Sequence, residues 1–166
     1  MKYNTGKLKV SLPGDCEILV TREFVAPRTL LFDVHTKPEM VKRWLFGPDG
    51  WSMPVCEIDL RVGGRYRYVW RNAATGQEFA TGGKFLEIVS PEKIVSTEQF
   101  EGEMGAQGEA VNTLTFEEHN GKTHLALHMR FPTKDSRDGA IESGMNDGIE
   151  AGFARLEGLF PALARE

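Results

Sequence analysis

Cysteine is scarce in this sequence, since Cys16 and Cys56 are the only two among 166 residues. They lack the Cys-x-x-Cys spacing of redox and zinc motifs, and no histidine stands near them at the spacing of a zinc ligand. We therefore expect two reduced thiols, with neither a disulfide nor a bound metal. A domain of this length also buries enough surface to fold without a covalent crosslink.

Long hydrophobic runs are absent as well. No stretch approaches the roughly 20 apolar residues of a membrane-spanning helix. The first residues, Met1-Lys2-Tyr3-Asn4, do not begin the apolar core of a secretory signal. The sequence therefore predicts a soluble, cytoplasmic protein with no membrane span.

An excess of positive charge is also missing. The chain has 20 Lys and Arg residues against 24 Asp and Glu residues, for a formal net charge of −4. Such a protein has no overall positive field to attract the phosphates of a nucleic acid. We therefore expect no nucleic-acid partner.

Familiar catalytic signatures are not present either. The sequence contains no Gly-x-Gly-x-x-Gly, Walker loop, Gly-x-Ser-x-Gly or His-Glu-x-x-His motif. His124 and His128 share a predicted strand face, but about 13 Å of strand separates them, too far for one metal. Glu57 and Asp59 could form a carboxylate pair, although Arg61 lies close enough to balance them. No catalytic residue, metal or cofactor is assigned.

The periodicity of apolar residues predicts one α+β domain over 16–163, preceded by an N-terminal arm over 1–15 that is either loose or an extra edge strand. A first strand over 16–24 is followed by two short helices that begin near Pro27 and Pro38. Further strands are predicted at 53–60, 64–71, 77–89, 92–100, 109–118 and 122–131. Helical period then runs from about 136 to 160. The predicted fold is a curved antiparallel sheet of about seven strands around a long C-terminal helix.

Glycines at a spacing of four mark one stripe of that predicted helix, namely Gly144, Gly148 and Gly152. Each costs on the order of 1 kcal/mol relative to alanine, so the stripe needs a compensating reason. Close backbone contact with the sheet is one explanation. Empty volume for an apolar ligand is the other, and it would be bordered by Met145, Ile149 and Phe153. Both explanations predict that a leucine at Gly148 would be damaging.

Aromatic side chains point into the predicted interior. Alternation places Tyr66, Tyr68 and Trp70 on one strand face, and their polar tips suit a semi-polar pocket as well as a dry core. Glu98 and Phe100 share a face of a later strand. If that face is internal, burial would raise the pKa of Glu98; the alternative is a glutamate that reaches water at a sheet end.

The segment 44–51 carries three large aromatics, Trp44, Phe46 and Trp51, together with two glycines and a proline. This mixture breaks regular structure while keeping apolar surface to bury. We predict a packed loop there that shapes the entrance to the pocket.

Four segments in order resemble a known family. The run 55–66, which contains Asp59-Leu60-Arg61-Val62-Gly63-Gly64-Arg65-Tyr66, resembles the "D-x-R-x-G-G-x-aromatic" signature of that family. The runs 83–95, 112–118 and 142–148 resemble its central strand pair, its penultimate strand and its "GMxxG" helix element. On these residues the chain resembles the activator of Hsp90 ATPase homologue 1-like domain of the START/Bet v 1-like (SRPBCC) superfamily, over about residues 16–163.

The resemblance implies a helix-grip fold with a cavity between the sheet and the long helix. In relatives such cavities take lipids, sterols, polyketides or other apolar molecules. The superfamily includes carriers, cyclases and hydrolases, so the fold alone does not select a chemistry. A chaperone partner and a role in a stress response are further implications of the resemblance.

The preferred hypothesis from the sequence is a module that binds a small apolar or amphipathic molecule, lipid-like or aromatic. Its expected ligand-binding residues are Trp44, Phe46, Trp51, Tyr66, Tyr68, Trp70, Glu98, Phe100, Met145, Ile149 and Phe153. One alternative is an enzyme of the cyclase or hydrolase kind, with Glu98 or a tyrosine as proton shuttle. Another is an interaction protein that resembles an Hsp90 co-chaperone. The sequence leaves open whether an edge strand forms a homodimer.

Overall fold

A computed structural model describes residues 8–102 and 108–163 of the chain. Its elements follow the predicted order closely. They are β1 (Lys9–Ser11), β2 (Glu17–Phe24), α1 (Arg28–Thr36), α2 (Pro38–Val41), β3 (Trp51–Ile58), β4 (Arg65–Asn72), β5 (Glu78–Val89), β6 (Lys93–Phe100), β7 (Ala110–His119), β8 (Lys122–Arg130), α3 (Lys134–Glu142) and α4 (Met145–Leu163). No helix of the described part of the chain is long and apolar enough to cross a membrane.

One antiparallel sheet contains all the described strands, in the order β1-β2-β8-β7-β6-β5-β4-β3. It has eight strands rather than about seven, because β1 adds itself to the edge of β2 and Val10 pairs with Val20. Val10 is also buried, which explains why so short a strand docks there. The turn at Asn120-Gly121 is confirmed, since φ values of 54° and 78° at these residues close the hairpin between β7 and β8.

The C-terminal helix predicted over 136–160 is two helices. The first ends at Glu142, and Gly144 has a φ of 86°, a left-handed conformation that favours glycine and stops the helix. The amide N–H of Gly144 donates to the carbonyl of Ile141, and α4 starts at the next residue. Apolar residues keep their spacing across the break, so periodicity alone does not reveal it.

The core lies between α4 and the inner face of the sheet. Phe24 of β2 makes edge-on contacts with Phe153 and Phe160 of α4, with ring centroids 5.4 and 5.7 Å apart. Edge-on aromatic pairs contribute about 0.5–1.5 kcal/mol of stability beyond the contribution of the apolar surface that they bury. These contacts hold the middle and the C-terminal part of α4 to the sheet.

A partly buried ion pair makes a second connection between sheet and helix. Nη2 of Arg22 in β2 donates to Oε2 of Glu157 in α4 at 3.0 Å, and the Arg22 side chain is only 2% exposed. Its guanidinium carbon also lies 4.4 Å from the centroid of the Phe24 ring. Contacts of this kind position α4 along its length.

Candidate functional site

A cavity of about 210 Å³ lies between the N-terminal half of α4 and the sheet. Side chains of five strands, β4 to β8, form its floor, including Tyr68, Phe85, Ile94, Leu114 and Leu127. Ile149 and Phe153 of α4 face them. The segment that runs from α1 to just beyond α2 closes one side with His35, Val41, Trp44 and Leu45. The walls are therefore mostly apolar and come from every layer of the fold.

Glycines of α4 leave this volume open. A Cβ atom at Gly148 would meet nothing within 4 Å, while one at Gly152 would lie 3.7 Å from ring atoms of Trp44. Neither glycine sits against the sheet backbone, so close contact with the sheet does not explain them; the space beside Gly148 is open, whereas the space beside Gly152 is bordered by Trp44. Gly148 is exposed while it lines the cavity, which places the mouth beside it.

Trp44 is a fixed wall of the cavity. It is 4% exposed, and its Nε1 donates to the carbonyl oxygen of Val34 at 2.9 Å. Its ring stacks on Phe153 with a centroid distance of 5.9 Å. A buried tryptophan with its N–H satisfied is a fixed apolar surface, so this wall of the cavity is flat and held in place.

Polar groups gather on the sheet side of the cavity. The Nδ2 of Asn112 donates to Oε1 of Glu98 at 3.2 Å, and Ser96 lies on the same strand face as Glu98. Burial raises the pKa of Glu98, and the hydrogen bond from Asn112 opposes that shift in part. The side of the cavity near β6 and β7 thus presents a carboxyl group and an amide group in low-dielectric surroundings.

Two tyrosines stand next to this polar group. The Tyr66 hydroxyl donates to the carbonyl oxygen of Thr97 at 2.7 Å, and the Tyr66 and Tyr68 rings are 5.1 Å apart. Burial raises the pKa of both hydroxyls, with the Glu98 charge adding to the effect. Both therefore stay protonated and serve as hydrogen-bonding groups.

His35 lines the cavity, although the sequence pattern showed no partner for it. Its Nδ1 lies 2.7 Å from the Leu31 carbonyl, which can only accept, so Nδ1 carries the proton. The ring packs against Trp44 and Phe116, with centroids 5.0 and 5.4 Å away. Burial lowers the pKa of His35 to about 4, so the ring is neutral near pH 7.

The structure brings six of the expected site residues together in the cavity wall. They are Trp44, Tyr66, Tyr68, Glu98, Ile149 and Phe153. They come from the loop after α2, from β4, from β6 and from α4.

The other five expected residues lie elsewhere. Phe46 lies beneath the Arg155 guanidinium at 4.0 Å, and Trp51 stacks on Phe79 at 5.4 Å. Trp70 donates its Nε1 to the Leu45 carbonyl at 2.7 Å. Phe100, at the end of β6, borders a shallow groove beside Arg67 and Gly82, and Met145 packs against the main core. Of the three aromatics in segment 44–51, only Trp44 therefore lines the cavity, and Phe46 and Trp51 each pack against a different neighbour.

Several cavity residues were missed by sequence reasoning, and Asn112 is the most informative. It alternates with Leu114 and Phe116 along β7, so it shares their inward face. A polar residue in register with two apolar ones was the available signal. His35 carried no comparable signal, because its place depends on how α1 packs over the sheet.

A wider groove of about 810 Å³ lies near the C-terminal half of α4. Charged residues border it, among them Lys9, Glu23 and Glu157. Small-molecule sites are concave and mostly apolar with a few polar groups. The smaller cavity fits that description and the wide groove does not.

An antiparallel sheet that holds a C-terminal helix over an internal cavity defines the helix-grip, START-like class of protein. Within that class, the family model described as "Activator of Hsp90 ATPase homolog 1-like protein" matches residues 25–161. The chain belongs to this family. None of the curated proteins compared with the chain matches it.

Solved structures share the architecture. A protein from Rhodobacter sphaeroides is 24% identical with a TM-score of 0.87, and the match covers 95% of this chain and 99% of that one. A protein from Nitrosomonas europaea is 24% identical with a TM-score of 0.80, covering 93% and 100%. An Hsp90 activator from Plasmodium falciparum is 23% identical with a TM-score of 0.64, covering 88% and 96%. At these identities the likeness shows the fold alone.

Proposed function

We propose that this protein binds a small apolar or amphipathic molecule in the cavity between α4 and the sheet. The observation that carries the proposal is the unfilled space beside Gly148, walled by apolar side chains and bordered by the Glu98–Asn112 pair. A helix that only needed to pack on the sheet would gain about 1 kcal/mol from alanine at that position. A retained void with polar groups on one side suits a guest.

The size of the cavity narrows the class of guest. An engineered apolar cavity of about 150 Å³ holds benzene, and drug-sized ligands occupy about 300–1,000 Å³. At about 210 Å³, this cavity suits a molecule of one or two aromatic rings, or a short branched chain, and not a whole sterol or diacyl lipid. The flat, stacked Trp44 and Phe153 rings favour an aromatic guest of that size.

A binding experiment with a matched pair of variants tests the proposal. Isothermal titration calorimetry would measure the affinity of 2-naphthol, a two-ring probe, for the unchanged protein, Gly148→Leu and Gly158→Leu. The leucine side chain introduced by Gly148→Leu would occupy the mouth, so we expect about a tenfold or greater loss of affinity, corresponding to about 1.4 kcal/mol. Gly158 also has nothing within 4 Å but does not line the cavity, so its variant should bind normally.

The same variants separate binding from folding. Leucine is favoured over glycine in a helix by roughly 0.5–1 kcal/mol, so both variants should melt at or above the temperature of the unchanged protein. The damage expected at Gly148 is therefore to binding rather than to the fold. Equal affinities in all three proteins, or no binding of the probe by the unchanged protein, would contradict the proposal.

A chaperone contact is a second candidate function. It is supported by the name of the family and by the Plasmodium falciparum Hsp90 activator among the similar structures. The test adds this protein to a purified Hsp90-type chaperone and measures ATP hydrolysis. Stimulation that survives Gly148→Leu would show a contact separate from the cavity, and no stimulation would remove this candidate. The cyclase or hydrolase alternative stays a prediction, for which Glu98→Gln is the decisive variant in any turnover assay.

A further inference from the structure

The polar side of the cavity offers one acceptor that lacks a donor, next to a carboxyl that receives a hydrogen bond. The Oδ1 atom of Asn112 is buried and has no hydrogen-bond partner within residues 8–102 and 108–163. Glu98 Oε1 receives one hydrogen bond, from Asn112 Nδ2. A buried acceptor without a donor costs about 1–3 kcal/mol, so a guest that supplies one gains binding energy there.

The lining also lacks positive charge. No Lys or Arg lies among the described residues that border the cavity, and Glu98 is its one acidic side chain. His35 cannot supply a cation near pH 7, because its pKa is lowered to about 4 by burial. A carboxylate guest would enter low-dielectric space beside a carboxyl group, with no cation to pair with it.

We propose that the Glu98–Asn112 pair selects, among guests of this cavity, neutral molecules that carry a hydroxyl or N–H donor, and that it rejects carboxylates. The inference rests on the proposed function, because it concerns the chemistry of the same guest. A donor on the rim of an aromatic ring would reach Asn112 Oδ1 or the Glu98 carboxyl while the ring lies between Phe153 and the sheet. Fatty acids and aromatic acids are thereby excluded.

Four probes with one shared ring system test this selection. They are naphthalene, 2-methoxynaphthalene, 2-naphthol and 2-naphthoate, measured by calorimetry near pH 7 with the unchanged protein. Hydrophobicity alone would rank naphthalene and 2-methoxynaphthalene above 2-naphthol. We expect 2-naphthol to bind about tenfold more tightly than either, as one buried hydrogen bond allows, and 2-naphthoate to bind at least about tenfold more weakly than 2-naphthol.

The variant Asn112→Leu locates the effect. It replaces the amide with an apolar side chain of similar size, so the preference for 2-naphthol over naphthalene should fall to about twofold or less while naphthalene still binds. If this variant does not fold, the four-probe comparison on the unchanged protein and the Glu98→Gln variant, in which 2-naphthoate should gain affinity, keep the test complete.

The outcomes separate the two proposals. Binding of all four probes without preference, or tightest binding of 2-naphthoate, would overturn the selection and leave the cavity function standing. Binding of 2-methoxynaphthalene as tight as that of 2-naphthol would also overturn it, since the ether has no donor. Failure of every probe to bind would overturn both proposals.

Discussion

The stability of this protein should depend on the neutral state of His35. The unfolded chain has an imidazole pKa of 6.5, whereas burial in the fold lowers it to about 4. Between these values the unfolded state binds more protons than the folded state. Stability is therefore fully present above pH 6.5 and is lost as the pH falls towards the folded pKa.

The size of the loss follows from the two pKa values. Between pH 7 and pH 5, proton linkage at His35 lowers the free energy of unfolding by about 2 kcal/mol. Glu98 acts in the opposite sense. Because burial raises its pKa, the folded state binds more protons at this group than the unfolded state does, and stability increases as the pH falls through the folded pKa. Its contribution is the same in any two proteins that differ only at His35, so it cancels in their comparison.

Urea unfolding at pH 7 and pH 5 would measure the effect on the unchanged protein, His35→Phe and His119→Phe. Phenylalanine at His35 keeps a ring among Trp44, Phe116 and Phe153 but removes the titrating group. We expect the unchanged protein to lose about 2 kcal/mol more than His35→Phe over this range. His119 is exposed, with 73% of its side chain accessible, so its variant should behave like the unchanged protein. Equal losses in the unchanged protein and His35→Phe would refute the reasoning.

Three further substitutions probe contacts within the sheet and between the sheet and α4, each by urea unfolding. Tyr66→Phe removes the hydroxyl that donates to the Thr97 carbonyl and should cost about 1–2 kcal/mol; no change would mean that water replaces the bond. Gly83→Ala places a Cβ onto the Thr97 carbonyl, so we expect a loss above about 2 kcal/mol, and a stable variant would contradict the close approach of β5 and β6. Glu157→Gln removes the charge opposite buried Arg22 and should cost about 2 kcal/mol. The cost should be smaller in high salt, because salt screens a half-exposed pair. An unchanged unfolding midpoint would show that the pair does not stabilise the fold.

The alternation of apolar and polar residues along the strands predicted most of the fold. In β4, Tyr66 and Tyr68 point inward while Arg65 and Arg67 are exposed, as period two requires. Local turn chemistry was equally informative, because Asn120-Gly121 demands a hairpin of one type. The Asp59–Tyr66 signature then identified the family, and with it the position of the cavity.

The break in the C-terminal helix and the partners of the aromatic side chains depend on long-range packing, so the sequence did not predict them. The break at Gly144 hides within a regular apolar spacing, since Ile141 and Met145 keep their helical interval on either side of it. Trp51 and Trp70 were expected at the entrance and in the wall, yet neither lines the cavity: Trp51 stacks on Phe79, and the Trp70 indole N–H donates to the Leu45 carbonyl. Several neighbours can satisfy an aromatic ring, and only the folded arrangement chooses among them.

The glycine at position 148 has one more consequence. Gly148 belongs to a helix and lies beside the mouth of the cavity, so a side chain introduced there would narrow the opening. Replacing Gly148 with Ala, Ser or Val would therefore narrow the opening in steps, while the side chains of the other walls stay the same. In the proposed function, the residue at position 148 would govern entry of the guest, whereas the Glu98–Asn112 pair would govern which guest is held.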